Sequence, residues 1–340
     1  MRTLNDHILQ YKDIEEESNW DKKIELIYEQ QLMTWNMARN HYNYFDSVIS
    51  RSIMIDYNEV ILQHNPARAR STCADLSKKA IETRKCFLCT SNLPEEQKGI
   101  LILNKYLILV NPFPVFKKHL TISDTSHIPQ MIKDRITDML EISRQLSSFT
   151  IFYNGPKCGA SAPDHFHFQS AEKGIMPIEK MITNLPDNKK EILLKKEDIN
   201  IYVPVNYFNN CIIFESGYKE PIDYFFEQIF NILPGNEESG EPMMNILANY
   251  DGINYRLILF PRGSQRPSCY YKEDDSRIIV SPASVEMAGI IVTPRIEDYE
   301  KIKDQDIKAI FSEVTINNKE FDNIKDKIRL IIQNSSNGNN

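Results

Sequence analysis

Residues His165-Phe166-His167-Phe168-Gln169 alternate polar and aromatic side chains with a period of two. That is the period of a β-strand, so His165, His167 and Gln169 share one face and both phenylalanines share the other. The aromatic pair anchors the strand to a core while three polar groups converge on one surface. A chance polar edge accounts for a single histidine. Two histidines and a glutamine, directly after a loop rich in Gly, Pro and Ser at 154–164, mark a functional site. Within that loop Asn154, Gly155 and Ser161 offer donors of the kind that hold phosphate, although an ordinary hairpin connection has the same composition.

Cys86-Phe87-Leu88-Cys89 is the second constellation. Two thiolates at this spacing chelate one zinc, and a structural site then needs two more ligands; the same spacing also serves redox chemistry, or nothing. Of the seven histidines, His119 and His165 each start a predicted strand, and the expected metal set is Cys86, Cys89, His119 and His165. Four of the six cysteines (Cys73, Cys158, Cys211 and Cys269) are scattered singly, too few for a disulfide scaffold.

The pattern along the chain predicts an α+β fold. A long helix is expected over Trp20–Phe45, a strand over Ser50–Leu62, and an irregular polar run from Gln63 to Arg70 forced by Pro66. From Ile100 a meander of short strands leads through His119–Ile122 to a helix striped by Ile128, Ile132, Ile136, Met139 and Leu140, then a strand at Phe149–Tyr153. After a Lys- and Glu-rich stretch at 187–198 the order strand, helix, strand, strand recurs at 211–215, 222–233, 243–250 and 255–260, which reads as an internal duplication. Ile296–Phe311 and Phe321–Ile332 are expected as closing helices, with a disordered polar tail over 334–340. The expected division is an extension at 1–85, a catalytic half at 86–185, a second half at 200–295 that has lost its histidines, and helices at 296–333.

Forty Lys and Arg against 47 Asp and Glu give a net charge of −7, so no global positive field draws this chain to nucleic acid or an anionic membrane. The longest apolar stretch, 100–110, is broken by Asn104 and Lys105 and falls short of the about 20 residues that span a bilayer. The N-terminus shows no signal-peptide pattern, and a cytoplasmic location is expected. An anionic ligand must therefore be held by local cations, for which Arg68, Arg70, Lys157, Arg262 and Arg295 are the candidates.

Taken together, Cys86-Phe-Leu-Cys89-Thr-Ser-Asn92, Asn111-Pro-Phe-Pro before His119-Leu-Thr-Ile, and Asn154-Gly155 through His165-Phe-His167-Phe-Gln169 resemble the histidine-triad superfamily. More narrowly they resemble its transferase branch, which ends the triad in Gln and includes galactose-1-phosphate uridylyltransferase; there Phe166 replaces the usual Pro. Leu259-Phe-Pro-Arg262 and Ser281-Pro-Ala-Ser-Val-Glu286-Met-Ala-Gly289 are similar to segments of GDP-L-galactose phosphorylase and diadenosine tetraphosphate phosphorylase. The resemblance implies two fused histidine-triad-like halves, each an antiparallel sheet with packed helices, flanked by extra helices at both ends. It also implies a structural zinc, a nucleophilic His167 that accepts a nucleotidyl group, a Gln169 amide on a phosphate oxygen, a small-molecule nucleotide substrate with phosphate or a sugar phosphate as acceptor, and a homodimer. The rival readings are a hydrolase of dinucleoside polyphosphates, whose triad would end in His, and a non-catalytic nucleotide-binding module.

Overall fold

A computed structural model describes residues 2–9, 19–69, 77–235 and 240–337. The segment expected as one strand over 50–62 folds back on itself as β1 (Ile49–Ile55) and β2 (Asn58–His64). Asp56 and Tyr57 form the turn with φ of 48° and 68°, the two left-handed residues that a tight hairpin turn matched to strand twist requires. The expected long helix likewise divides into Trp20–Thr34 and Asn36–Phe45, because Trp35 is buried with extended backbone between them.

Five further strands follow, β3 (Gly99–Ile102), β4 (Tyr106–Val110), β5 (His119–Asp124), β6 (Phe149–Asn154) and β7 (His167–Glu172), with the helix Ile136–Gln145 between β5 and β6. The same series then recurs as β8 (Lys190–Lys195), β9 (Asn200–Pro204), β10 (Ile212–Ser216), the helix Lys219–Phe230, β11 (Met244–Tyr250) and β12 (Tyr255–Pro261). All ten form one antiparallel sheet ordered β3-β4-β5-β7-β6-β11-β12-β10-β9-β8. Read inward from either edge, the two halves have the same strand order, and they meet where β6 pairs with β11, Asn154 opposite Asn245. The expected duplication is therefore present as topology, and its second copy begins at β8, inside the Lys- and Glu-rich stretch. No histidine or glutamine occurs in β12, the counterpart of β7.

One face of the sheet carries Phe166, Phe168, Tyr106 and Tyr153, packed with Met139 and Leu140 of the first half's helix and Phe226 and Ile229 of the second's. On the other face Phe152, Leu247 and Phe260 pack beneath β2, the helix Asp304–Val314 and a last strand, β13 (Ile290–Thr293), which pairs parallel to β2. His119, His167 and Gln169 point to this second face, so it is the N-terminal hairpin and the C-terminal segments that wall the site.

Two more expectations change. The first-half helix starts at Ile136, leaving Ile128 and Ile132 in an extended loop, since Pro129 keeps the preceding residue out of helical backbone. At the C-terminus the helices are Ile296–Lys301, Asp304–Val314 and Asn318–Asn337, the last running into the expected tail, of which 338–340 lie outside the described residues. No described helix is long and apolar enough to cross a membrane.

Candidate active site

Cys86 and Cys89 lie on a tight knuckle before β3. Asn92 holds it, donating from Nδ2 to the Cys86 carbonyl (2.8 Å) and from its backbone N–H to the Cys89 carbonyl (2.8 Å). The knuckle abuts His127 and His165, and the ligand atoms of the four residues lie within 4.8 Å of one another. His165 Nδ1 is 3.3 Å from Cys86 Sγ, 3.6 Å from Cys89 Sγ and 3.3 Å from His127 Nδ1, and His127 Nδ1 is 3.2 Å from Cys89 Sγ. A tetrahedral zinc with bonds of about 2.0 to 2.3 Å separates its ligands by about 3.3 to 3.8 Å, so these residues fit one ion. His165 donates its other ring N–H to the Asp124 carbonyl (2.8 Å), which leaves Nδ1 with the lone pair a metal needs. Burial opposes ionisation of the Cys86 thiol, but His165 beside it, when it carries a proton on Nδ1, brings it down to about 6, whereas burial and the neighbouring Cys86 push Cys89 up to about 12. A second thiolate beside the first thus calls for a cation between them.

His119 is not a member of this cluster. It starts β5, and its ring turns to the sheet face shared with β7. The fourth position belongs to His127, in the loop that Pro129 keeps from being helical; that proline, read with Ser126-His127, was the available signal.

The catalytic candidate His167 starts β7 and is 3% exposed. Its Nδ1–H donates to the His165 carbonyl (2.9 Å), so the lone pair is on Nε2, to which no described residue makes a hydrogen bond. Burial lowers its pKa to about 4, and the ring is neutral above that. The His167 backbone is clamped by Gln130, a fully buried residue that sequence reading missed: Oε1 accepts from the His167 N–H (2.8 Å), and Nε2 donates to the carbonyls of His167 (2.9 Å) and Asn154 (3.0 Å). Gln169 follows on the same face, two residues along. Its Oε1 accepts from His119 Nε2 (2.9 Å), and its amide nitrogen has no described partner.

The loop between β6 and β7 is fixed by the second half. Asn154 Oδ1 accepts from Asn245 Nδ2 (2.9 Å) and from the Ser284 N–H (2.8 Å), and the Gly155 N–H donates to the Met244 carbonyl (3.2 Å). A side chain at Gly155 would meet that carbonyl at 2.9 Å. Lys157 and Ser161 are half-buried on the same loop. Arg68, half-buried beside Pro66, donates to the Phe113 carbonyl (3.3 Å) and is near enough to His119 and Glu286 to act on their charge. Arg70 lies outside the described residues.

Two expected cations do not face the site. Arg262 is buried and donates to the Val314, Pro282, Ser264 and Gln265 carbonyls and to Asn245 Oδ1, so it braces the second half. Arg295 pairs with the buried Asp298 at 2.7 and 2.8 Å. Each follows a strand in sequence, but Arg295 is claimed by a carboxylate three residues on, and Arg262 by carbonyls two and three residues on together with the distant Pro282 and Val314.

A continuous sheet of two repeated halves, with the histidine-bearing strand in the first, is a fold shared with a solved phosphorylase structure. Residues 183–335 match the family described as the GDPGP1-like C-terminal domain, and residues 27–172 match a domain of unknown function (DUF4922). Among solved structures, yeast Ap4A phosphorylase Apa2 is 13% identical with a TM-score of 0.53, over 83% of this chain and 94% of that one. Its complex with Ap4A is 12% identical with a TM-score of 0.51, over 83% and 97%. Its complex with AMP is 13% identical with a TM-score of 0.50, over 85% and 97%. At these identities the likeness is one of fold. No curated protein sequence matches this chain.

Proposed function

We propose that the protein is a nucleotidyltransferase of the phosphorylase type, acting on a nucleoside diphosphate sugar or a dinucleoside polyphosphate through a nucleotidyl-histidine. The observation that carries this reading is His167, a buried neutral imidazole whose Nδ1–H is tied to the His165 carbonyl while Nε2 is left to react. Nε2 attacks the α-phosphorus, a P–N bond forms, and the pyrophosphate P–O bond breaks with its electrons on the leaving phosphate. In the second half-reaction an oxygen of inorganic phosphate or a sugar phosphate attacks the same phosphorus and the P–N bond breaks, so one difficult transfer becomes two easier ones. Throughout, the His165 carbonyl steadies the positive charge that His167 gains on phosphorylation, and the Gln169 amide nitrogen offers a neutral donor to a phosphate oxygen.

Cys86, Cys89, His127 and His165 would hold a zinc ion. With four protein ligands and no open position it would supply a structural tie rather than a reactive centre. The chain's own residues then do the chemistry, and the tie fixes the carbonyl of His165 against His167.

Intact-protein mass spectrometry after incubation with each common nucleotide sugar and with diadenosine tetraphosphate tests the reading. One donor is expected to add the mass of one nucleotidyl group, a nucleoside monophosphate less one water, and steady turnover of that donor is expected to rise at least about tenfold when inorganic phosphate or a hexose 1-phosphate is added. Equal rates without any acceptor, with nucleoside monophosphate as product, would make the protein a hydrolase.

A further inference from the structure

His119 has the chemistry of a ligand or a base but is used as neither. Its ring is 1% exposed, edge-on to Phe116 (centroids 5.8 Å) and stacked on Phe152 (6.0 Å). The Val115 N–H donates to its Nδ1 (3.2 Å), so the ring proton is on Nε2, and Nε2–H donates to Gln169 Oε1 (2.9 Å). Burial first, and the nearby Arg68 guanidinium second, disfavour the charged ring, so this tautomer persists across the working pH range.

A carboxamide has one accepting and one donating end, and an unheld one can turn over about its last bond. Once Oε1 is claimed, the NH2 must face the other way. Across the β5–β7 pair His119 stands opposite Ala171, on the side of Gln169 away from His167, and Nε2 of Gln169 meets no described partner. A reversed amide would aim a carbonyl oxygen at an anionic phosphate and replace an attraction by a repulsion.

We propose that His119 is a positioning residue, whose Nε2–H holds the Gln169 side-chain oxygen so that its amide NH2 is presented to the phosphate that His167 attacks. The inference rests on the reading of His167 as the nucleophile toward a nucleotide phosphate. It makes His119 matter only through Gln169, a claim that a general contribution to folding does not make.

The test is a double-mutant cycle on the single-turnover rate of adduct formation, with whichever donor labels the wild type, in His119→Phe, Gln169→Ala and the double variant. His119→Phe is expected to slow labelling about 10- to 100-fold, Gln169→Ala at least as much, and the double variant no more than Gln169→Ala alone. His119→Gln, which places an amide donor near the lost Nε2–H, is expected to recover most of the rate. Should His119→Phe fail to fold, His119→Met enters the same cycle. Equal losses from the His119 change in both backgrounds, or no loss in either, would overturn the positioning role while leaving the proposed function intact. A wild type that no donor labels would overturn both.

Discussion

At the scale of single residues, burial decides what the histidines can do. A ring taken out of water loses its charged form first, so His167 and His119 are held neutral, and a neutral ring has one nitrogen that donates and one that does not. Which is which depends on one main-chain contact each: Nδ1 of His167 donates to a carbonyl, Nδ1 of His119 accepts from an N–H. His167→Ala is therefore expected to abolish the covalent adduct, whereas His165→Ala is expected to lower metal content first; intact mass and metal analysis separate the two. His119 also gives a pH signature. Unfolded, it takes up a proton below about 6.5, but folded only below about 3, so between these values unfolding binds a proton and stability falls as pH falls. Urea titrations at several pH values are expected to show that His119→Gln flattens this slope by about 1.4 kcal/mol per pH unit between pH 4 and 6.

At the scale of elements, the site is a meeting of loops held from outside the strands. The knuckle of Cys86 and Cys89, the loop at His127 and the start of β7 meet at the cluster, so one ion would fasten three segments. Cys86→Ser and His127→Ala are each expected to bring zinc well below one per chain, while His119→Phe retains it. That contrast in metal analysis separates the cluster seen here from the one its sequence predicts. The loop from β6 to β7 is pressed in turn against the short helix Ser284–Met287. Gly159 has φ of +97°, and a Cβ there would clash with that of Ala283. Gly159→Ala is expected to cost on the order of 2 kcal/mol in urea unfolding and to slow labelling of His167, since the Ser284 N–H that holds Asn154 belongs to the displaced helix.

At the scale of the whole molecule, two copies of one topology share a sheet, and the seam between them adjoins the site. β6 and β11 pair over Ile151 to Asn154, and Arg262, deep in the second half, reaches the loop of the first through Asn245. The second half thus shapes a site whose histidines are all in the first. Unfolding followed by calorimetry and by far-ultraviolet circular dichroism is expected to show one coincident transition. Residues 1–185 expressed alone are expected to aggregate, since β6 would present a bare edge and Phe152 would lose Leu247 from its cluster. Two resolved transitions, or a soluble folded first half, would show that the seam is dispensable.

Alternation along β7, the Cys-x-x-Cys knuckle and the repeated order of strands and helices are local periodicities, and a chain displays these in its residue order because each follows from the geometry of a few neighbouring residues. From them came the fold class, the histidine-bearing strand and three of the four residues of the cysteine–histidine cluster. Partnership across the fold is another matter. Cys86 and His165 are 79 residues apart, and whether His119 or His127 joins them depends on which way β5 presents its first side chain and where the following loop passes. Gln130 and Asn245 had no signal at all, because a lone amide in sequence says nothing of the carbonyls it will meet. Arg262 and Arg295 had the charge for a phosphate and were turned instead to main-chain carbonyls and a buried carboxylate, since buried acceptors must be satisfied. Sequence periodicity determined the elements; the long-range pairing of strands and the satisfaction of buried polar groups decided which side chains they bring together.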